Sequence, residues 1–233
     1  MLENLIEEKQ LKITYGTIRR YMPAYNKVKK MISSGKYGKL LQIDINHGYG
    51  NLFWTHPHSV DLGLFFMNIE FPKKIQATLS NISIQSLKEE KIIDSDPKIE
   101  SAMMLFSNNI VCRIGKAGNC DVSLKCERGI LTVDGDGIRI IEQKLKHNNS
   151  YMDYLIKPIV YKKSDAMGTY LPINHHLDDL TKKVSFIDLN SILKGQKILF
   201  SFIMSHVKNS ALIDTKNLEI NFIVNGKSQN KYA

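Results

Sequence analysis

The stretch from residue 75 to residue 141 most constrains what this chain can fold into. Short runs that alternate apolar and polar residues are broken there, every few positions, by turn residues. Ser101 to Phe106 and Ile110 to Ile114 flank Asn108-Asn109. Val122 to Cys126 and Ile130 to Val133 join through Arg128-Gly129, and Asp134-Gly135-Asp136-Gly137 leads to Ile138 to Ile141. Period-two alternation marks half-buried strands, and Asn, Asp and Gly supply the left-handed backbone of tight turns. Strands joined by turns this short pair antiparallel, because a parallel pair needs a crossover of about a dozen residues or more. The expected class is α+β: an open, largely antiparallel β-sheet with helices packed on one face.

The helices expected to cover that face flank the meander. Pro23 opens a helix with Tyr25, Val28, Met31 and Ile32 on one side and lysines opposite, and Gly35 ends it. Val60 to Met67 and Gly195 to Asn209 are strongly apolar and read as core helices. Leu41, Ile43, Ile45 and His47 alternate with Gln42, Asp44 and Asn46, a further strand. The chain also reads as a short helix over Leu2 to Lys9, a strand over Lys12 to Gly16, a strand from Ile75 to Ile84 and a last strand from Leu218 to Val224. His147 to Thr169 has no clear period and reads as a surface excursion, and Asn174 caps a helix through Leu177, Leu180 and Val184. The sheet face away from the helices is expected to carry large residues such as Met103 and Phe106, and so to support self-association.

At 233 residues the chain suffices for one large core. Its net charge of +9 comes from scattered lysines without a nucleic-acid-binding motif, so it reads as a solvated surface and nucleic acid is not an expected partner. No apolar run approaches the roughly 18 residues of a membrane span, and the acidic start Met1-Leu2-Glu3-Asn4 lacks a basic leader. A cytoplasmic protein with no membrane partner is expected. Cys112, Cys120 and Cys126 contain no C-x-x-C pair and read as reduced, structural thiols. His175 and His176, near Asp178 and Asp179, read as an ordinary helix start, and no metal is expected.

Chemistry concentrates in Phe53-Trp54-Thr55-His56-Pro57-His58-Ser59-Val60-Asp61-Leu62. Two imidazoles, an indole and a carboxylate gather where a loop meets an apolar helix, a costly arrangement unless it binds or reacts with something. His47, at the end of the preceding strand, continues its apolar face.

Ile18-Arg19-Arg20-Tyr21-Met22-Pro23, Gly35-Lys36-Tyr37-Gly38-Lys39, His58-Ser59-Val60-Asp61-Leu62 and Val207-Lys208-Asn209-Ser210-Ala211, in this order and spacing, resemble the C-terminal domain of the Gfo/Idh/MocA oxidoreductases over nearly the whole chain. The resemblance implies that residues 1–17 are the end of a Rossmann domain and that residues 18–233 form a domain for substrate binding and dimerisation. It implies an NAD(P)-dependent dehydrogenase acting on a sugar, polyol or inositol derivative, with this chain as its substrate-binding half. It makes His58 the catalytic histidine and puts His47, Trp54, His56, Asp61 and Arg19 toward substrate. Asp61 also reads as a residue that satisfies N–H groups at the helix start. Where many relatives carry an aspartate four residues before the histidine, this chain has Trp54.

No G-x-G-x-x-G and no Glu-Lys-Pro segment is present. NAD or NADP is therefore expected only with a Rossmann partner, supplied by a separate chain, and no cofactor is expected for this chain alone. The alternative is a non-catalytic sugar-binding or dimerisation module derived from the same domain. A homo-oligomer through the sheet face is expected in either case.

Overall fold

A computed structural model describes residues 2–11, 16–145, 152–154, 158–162, 173–174, 177–178, 181, 186–216 and 218–224. The helices are α1 (Leu2–Lys9), α2 (Pro23–Ser33), α3 (His56–Phe66), α4 (Ile84–Glu89) and α5 (Phe186–Val207). The strands are β1 (Leu40–Asn46), β2 (Lys74–Ser80), β3 (Ile92–Ile93), β4 (Lys98–Leu105), β5 (Val111–Gly115), β6 (Asp121–Cys126), β7 (Gly129–Asp134), β8 (Arg139–Leu145), β9 (Met152–Tyr154), β10 (Ile159–Val160), β11 (Ile213–Asp214) and β12 (Ile223–Val224). The main sheet runs β10-β8-β7-β6-β1-β5-β4-β2-β11, with β9 also on β8. The α+β class and the largely antiparallel sheet are as expected.

One pair in the main sheet departs from the antiparallel pattern. β1 sits at the centre, antiparallel to β6 but parallel to β5, with Ile43 opposite Cys112 on one side and Leu124 on the other. The partners β1 and β5 are far apart in sequence, with α3, β2 and β4 between them, so turn chemistry carries no trace of their pairing.

Alternation along the strands sorts the two faces. Ile43, Ile45, Ile75, Met104, Ile114, Leu124 and Leu131 point to the helical side and are buried. They meet Val60, Leu62 and Leu64 of α3 and Ile198, Leu199, Phe202 and Ile203 of α5, all fully buried. Each such side chain contributes about 1.5–3 kcal/mol of transfer free energy. α5 is also tied to β2 by polar contacts. The Ala77 N–H donates to Ser205 Oγ (2.9 Å), the Ser205 hydroxyl donates to the Ala211 carbonyl (2.7 Å), and the Leu79 N–H donates to His206 Nδ1 (3.3 Å). The opposite face is polar: Asp44, Gln76, Thr78, Arg113, Ser123 and Lys125 line an open trough of about 670 Å³. Met103 lies in it as expected, but Phe106 does not; the chain turns after β4 and buries that ring in the core.

Other boundaries differ from the sequence reading for local reasons. The strand read over Ile75 to Ile84 ends at Ser80, and Ser83 caps α4 by accepting the Ser86 N–H (3.3 Å). α5 begins at Phe186 and runs through Gly195, whose bare Cα faces Val60 of α3. Part of the 147–169 excursion forms β9 and β10, both antiparallel to β8, whose unpaired backbone they cover. Of the last expected strand only Ile223–Val224 pairs, parallel to β3 in a separate two-stranded sheet, because β3 itself offers just two residues. Residues 12–15 of the strand read over Lys12 to Gly16 and most of the helix read after Asn174 lie outside the described residues.

Candidate substrate site: an imidazole cluster at one end of the sheet

α3 begins at His56, four residues before the apolar run starts, so His56 and His58 fall in its first turn with Pro57 between them. Pro at the second helical position costs nothing, since that N–H has no intrahelical acceptor. β1 ends beside this turn and delivers His47. The His47 ring lies 6.1 Å, centroid to centroid, from both the His56 and the His58 ring, roughly edge to face. Ser59, one helical turn after His56, puts its hydroxyl between two of the rings. Its Oγ is 3.0 Å from His47 Nδ1 and 3.2 Å from His56 Nδ1.

All three imidazoles are neutral at pH 7. Burial pushes His47 down to about 3, with the Arg19 guanidinium and the two neighbouring rings acting the same way and Asp136 opposing. Burial likewise pushes His56 and His58 down to about 4; Arg19 adds to the effect on His58, while the Gly50 backbone opposes it at His56. A neutral imidazole near a hydroxyl is the form that can accept its proton.

A second layer fixes the surroundings. Arg19 makes a forked pair with Asp136 in the β7–β8 turn, Nε to Oδ1 and Nη2 to Oδ2 both at 2.8 Å. The Tyr25 hydroxyl lies 3.2 Å from Asp136 Oδ1 and 3.2 Å from the Cys120 carbonyl. This links α2, the loop before β6 and the β7–β8 turn behind the cluster. Next door, Arg20 grips Asp61 through both carboxylate oxygens and reaches Ser191 Oγ at 2.6 Å.

The structure thus brings His47, His56, His58 and Arg19 together. It places the other two expected residues differently. Asp61 is buried and held by Arg20, an ion pair between the Arg-Arg turn and α3 rather than an N–H cap. Trp54 is 59% exposed on the loop before α3. His56 is wholly buried, with its Nε2 making no hydrogen bond. Sequence reasoning missed Ser59, although its spacing of three from His56 in a helix brings the two side chains together. It also missed Asp136, hidden in a turn cluster whose glycines explained it sufficiently. The three cysteines are buried free thiols; burial pushes Cys120 up to about 12 and Cys126 to about 11. Among the described residues no group of His, Cys, Asp and Glu could hold a metal ion, and no helix is long and apolar enough to cross a membrane. His175 and His176 lie outside the described residues.

No family model matches the sequence, and no curated protein matches it. The fold, in contrast, has many solved counterparts. A super-repressor mutant of Gal80p from Saccharomyces cerevisiae superposes with a TM-score of 0.66 at 13% identity, covering 92% of this chain and 68% of that one. An aldose-aldose oxidoreductase from Caulobacter crescentus, complexed with glycerol, gives 0.64 at 12% identity, covering 89% and 65%. An oxidoreductase from Agrobacterium radiobacter, in complex with NAD+, L-tartaric acid and magnesium, gives 0.63 at 12%, covering 91% and 67%. The chain has the fold of the C-terminal domain of Gfo/Idh/MocA-type oxidoreductases and spans about two-thirds of their length. At these identities the likeness establishes the fold, as the sequence resemblance anticipated.

The loop after β1 and the start of α3 do not form a dinucleotide cradle. After β1, the strand with a parallel partner, the loop carries Gly48 and Gly50, but a Cβ at Gly50 would fall 2.5 Å from Thr55 side-chain atoms. That glycine serves packing within the loop, not a phosphate. The helix that follows opens with His56 and His58 instead of a glycine-rich turn with free N–H groups.

Proposed function

We propose that this chain is the substrate-binding half of an NAD(P)-dependent oxidoreductase of the Gfo/Idh/MocA type, acting on a sugar, polyol or inositol derivative. The cluster of three neutral imidazoles beside the Arg19–Asp136 pair carries this reading. In it, His58 accepts the proton of the hydroxyl being oxidised and His47 hydrogen-bonds the substrate. Arg19, held by Asp136, lines the same side, and Trp54 offers an indole face for a sugar ring to stack on. His56 and Asp61 shape the site from behind. The nicotinamide and a nucleotide-binding domain come from a Rossmann partner, of which residues 1–17 are the trailing end, and the protein is inactive without it. The polar sheet face is a surface for self-association.

The test is steady-state oxidation of a panel of sugars and inositols by the chain supplied with a Rossmann domain that carries Glu-Lys-Pro. His58→Ala is expected to lower turnover by roughly 10²–10⁴-fold, the loss typical of a general base. Full activity in His58→Ala, with loss in His47→Ala, assigns the proton to the wrong ring. A second reading is favoured by Trp54 standing where relatives have a carboxylate: a sugar-binding module without turnover. It predicts binding of the same panel and no oxidation with any partner.

A further inference from the structure

Both arginines of the turn before α2 are already matched by carboxylates. Arg19 meets Asp136 through two parallel bonds, Nε to Oδ1 and Nη2 to Oδ2 at 2.8 Å, and both side chains are mostly buried. The Tyr25 hydroxyl donates a third bond to Asp136 at 3.2 Å. Arg20 is forked in the same way onto Asp61. A forked arginine–carboxylate pair balances both charges and fixes their geometry. On the His58 ring the charges of Arg19 and Asp136 accordingly act in opposite senses.

The rings supply no charge either, and the reason is geometric. An imidazolium carries hydrogen on both nitrogens and needs an acceptor for each. His58 Nδ1 and His56 Nε2 are buried without a hydrogen-bond partner. Charging His56 or His58 would therefore bury an N–H without an acceptor together with a charge. At His47 Nδ1 the polar neighbour is the Ser59 hydroxyl, 3.0 Å away and shared with His56 Nδ1 at 3.2 Å, which stabilises a cation far less than a carboxylate would. A phosphate or carboxylate entering here loses its hydration and meets no unbalanced cation, a large cost in a poorly hydrated site. A hydroxyl loses little, because the rings and the remaining N–H groups of Arg19 replace its water. The net charge of +9 does not reverse this. It comes from scattered lysines, and exposed charges more than about 8 Å apart are largely screened at physiological salt.

We propose that the cluster selects uncharged polyols over their phosphorylated or carboxylate counterparts, and that Asp136 sets this preference by holding and neutralising Arg19. This rests on the reading of the cluster as a polyol site. Asp136 acts through Arg19 and is in this sense a positioning residue. With the carboxylate removed, Arg19 becomes a buried cation without its counter-charge, and an anionic ligand is what would restore the balance. Asn is the substitution that isolates the charge. Asp136 sits at φ 54°, in the left-handed region, which Asn tolerates as well as Asp does.

The test uses the whole chain labelled with ¹⁵N-histidine and matched ligands: inositol with an inositol monophosphate, glucose with a glucose phosphate, and glucose with glucuronate. The His47 and His58 ring resonances are followed at pH 7 as each ligand is added. The neutral member of a pair should shift both rings saturably, and its anionic counterpart should bind at least about tenfold more weakly. Asp136→Asn should tighten the anionic member by about tenfold or more while moving the neutral one only a few-fold. A merely structural loss would weaken both together and leave their ratio unchanged. Should Asp136→Asn fail to fold, Asp136→Ser, smaller and still an acceptor for Arg19, serves the same comparison. An anionic member that binds the parent chain within about tenfold of its neutral counterpart overturns the proposal and leaves the polyol reading standing. A folded variant with an unchanged ratio does the same. A panel in which no member moves either ring sinks the polyol reading, and the proposal with it.

Discussion

Arg20 holds both carboxylate oxygens of Asp61, and the pair is buried between the turn that precedes α2 and the face of α3. Through Arg20 Nη2 it also reaches Ser191 on α5 at 2.6 Å. Three elements that share only side-chain contacts are thereby fixed against one another, and the imidazole cluster on α3 inherits that rigidity.

Removing one partner of this pair leaves an unpaired charge in the core. Asp61→Ala should lower unfolding stability by about 3–5 kcal/mol, the usual cost of breaking a buried ion pair. Replacing Arg20 and Asp61 together with Met and Leu should cost less than either single change. Urea unfolding of the three variants measures this; an Asp61→Ala protein as stable as its parent would show the pair to be idle.

Acid should destabilise the fold through the histidines. Their ordinary value near 6.5 in the unfolded chain falls to about 3 for His47 and about 4 for His56 and His58 in the folded one, because burial disfavours the charged rings. The unfolded chain therefore binds more protons, and stability rises with pH across this window. The contribution is fully present above about pH 6.5 and is lost as pH falls, through about 4 for His56 and His58 and about 3 for His47. Each ring adds a slope of at most about 1.4 kcal/mol per pH unit. Denaturation midpoints between pH 7 and pH 5 should fall steeply, and His56→Gln should flatten the curve; a midpoint independent of pH contradicts the account.

How much of this was legible beforehand depended on the range of the signal. Period two and turn residues named β4 to β8, and Pro23 and Gly35 bracketed α2, because those signals act within a few residues. The parallel β1–β5 pair, the covering strands β9 and β10 and the length of α5 rest on contacts between distant segments, which no local pattern records. In the site, His56 and His58 stood out by residue type, and His47 and Arg19 were named through the family resemblance. What each side chain bonds to was not: the Asp61–Arg20 and Asp136–Arg19 pairs and the two-sided Ser59 hydroxyl arise only when four elements converge.

The chain by itself should bind no nicotinamide cofactor with useful affinity. Gly50 is committed to packing against Thr55, and the start of α3 is occupied by histidines, so no cradle of free N–H groups remains there for a pyrophosphate. NADH fluorescence titrated with the chain should stay linear; saturation at micromolar levels refutes this.

Self-association through the polar sheet face should be measurable. Asp44, paired with Lys125 at 2.7 Å, and Arg113 line one trough, and a two-fold axis passing between Asp44 and Arg113 would set each against the other's opposite charge. Sedimentation at tens of micromolar should detect a dimer, and Arg113→Glu should weaken it without unfolding the chain. A parent protein that stays monomeric there excludes this surface.

The central claim is that the imidazole cluster receives a polyol. It is tested most directly by following the His47 and His58 ring resonances while aldoses, inositols and linear polyols are added one at a time. The account predicts that at least one of them shifts both rings saturably, that the shift of His47 is abolished or greatly weakened in His58→Ala, and that His206, distant on α5, stays unmoved. If no member of the panel perturbs either ring, or if a binding sugar leaves His47 and His58 unchanged, the site lies elsewhere and the account is wrong.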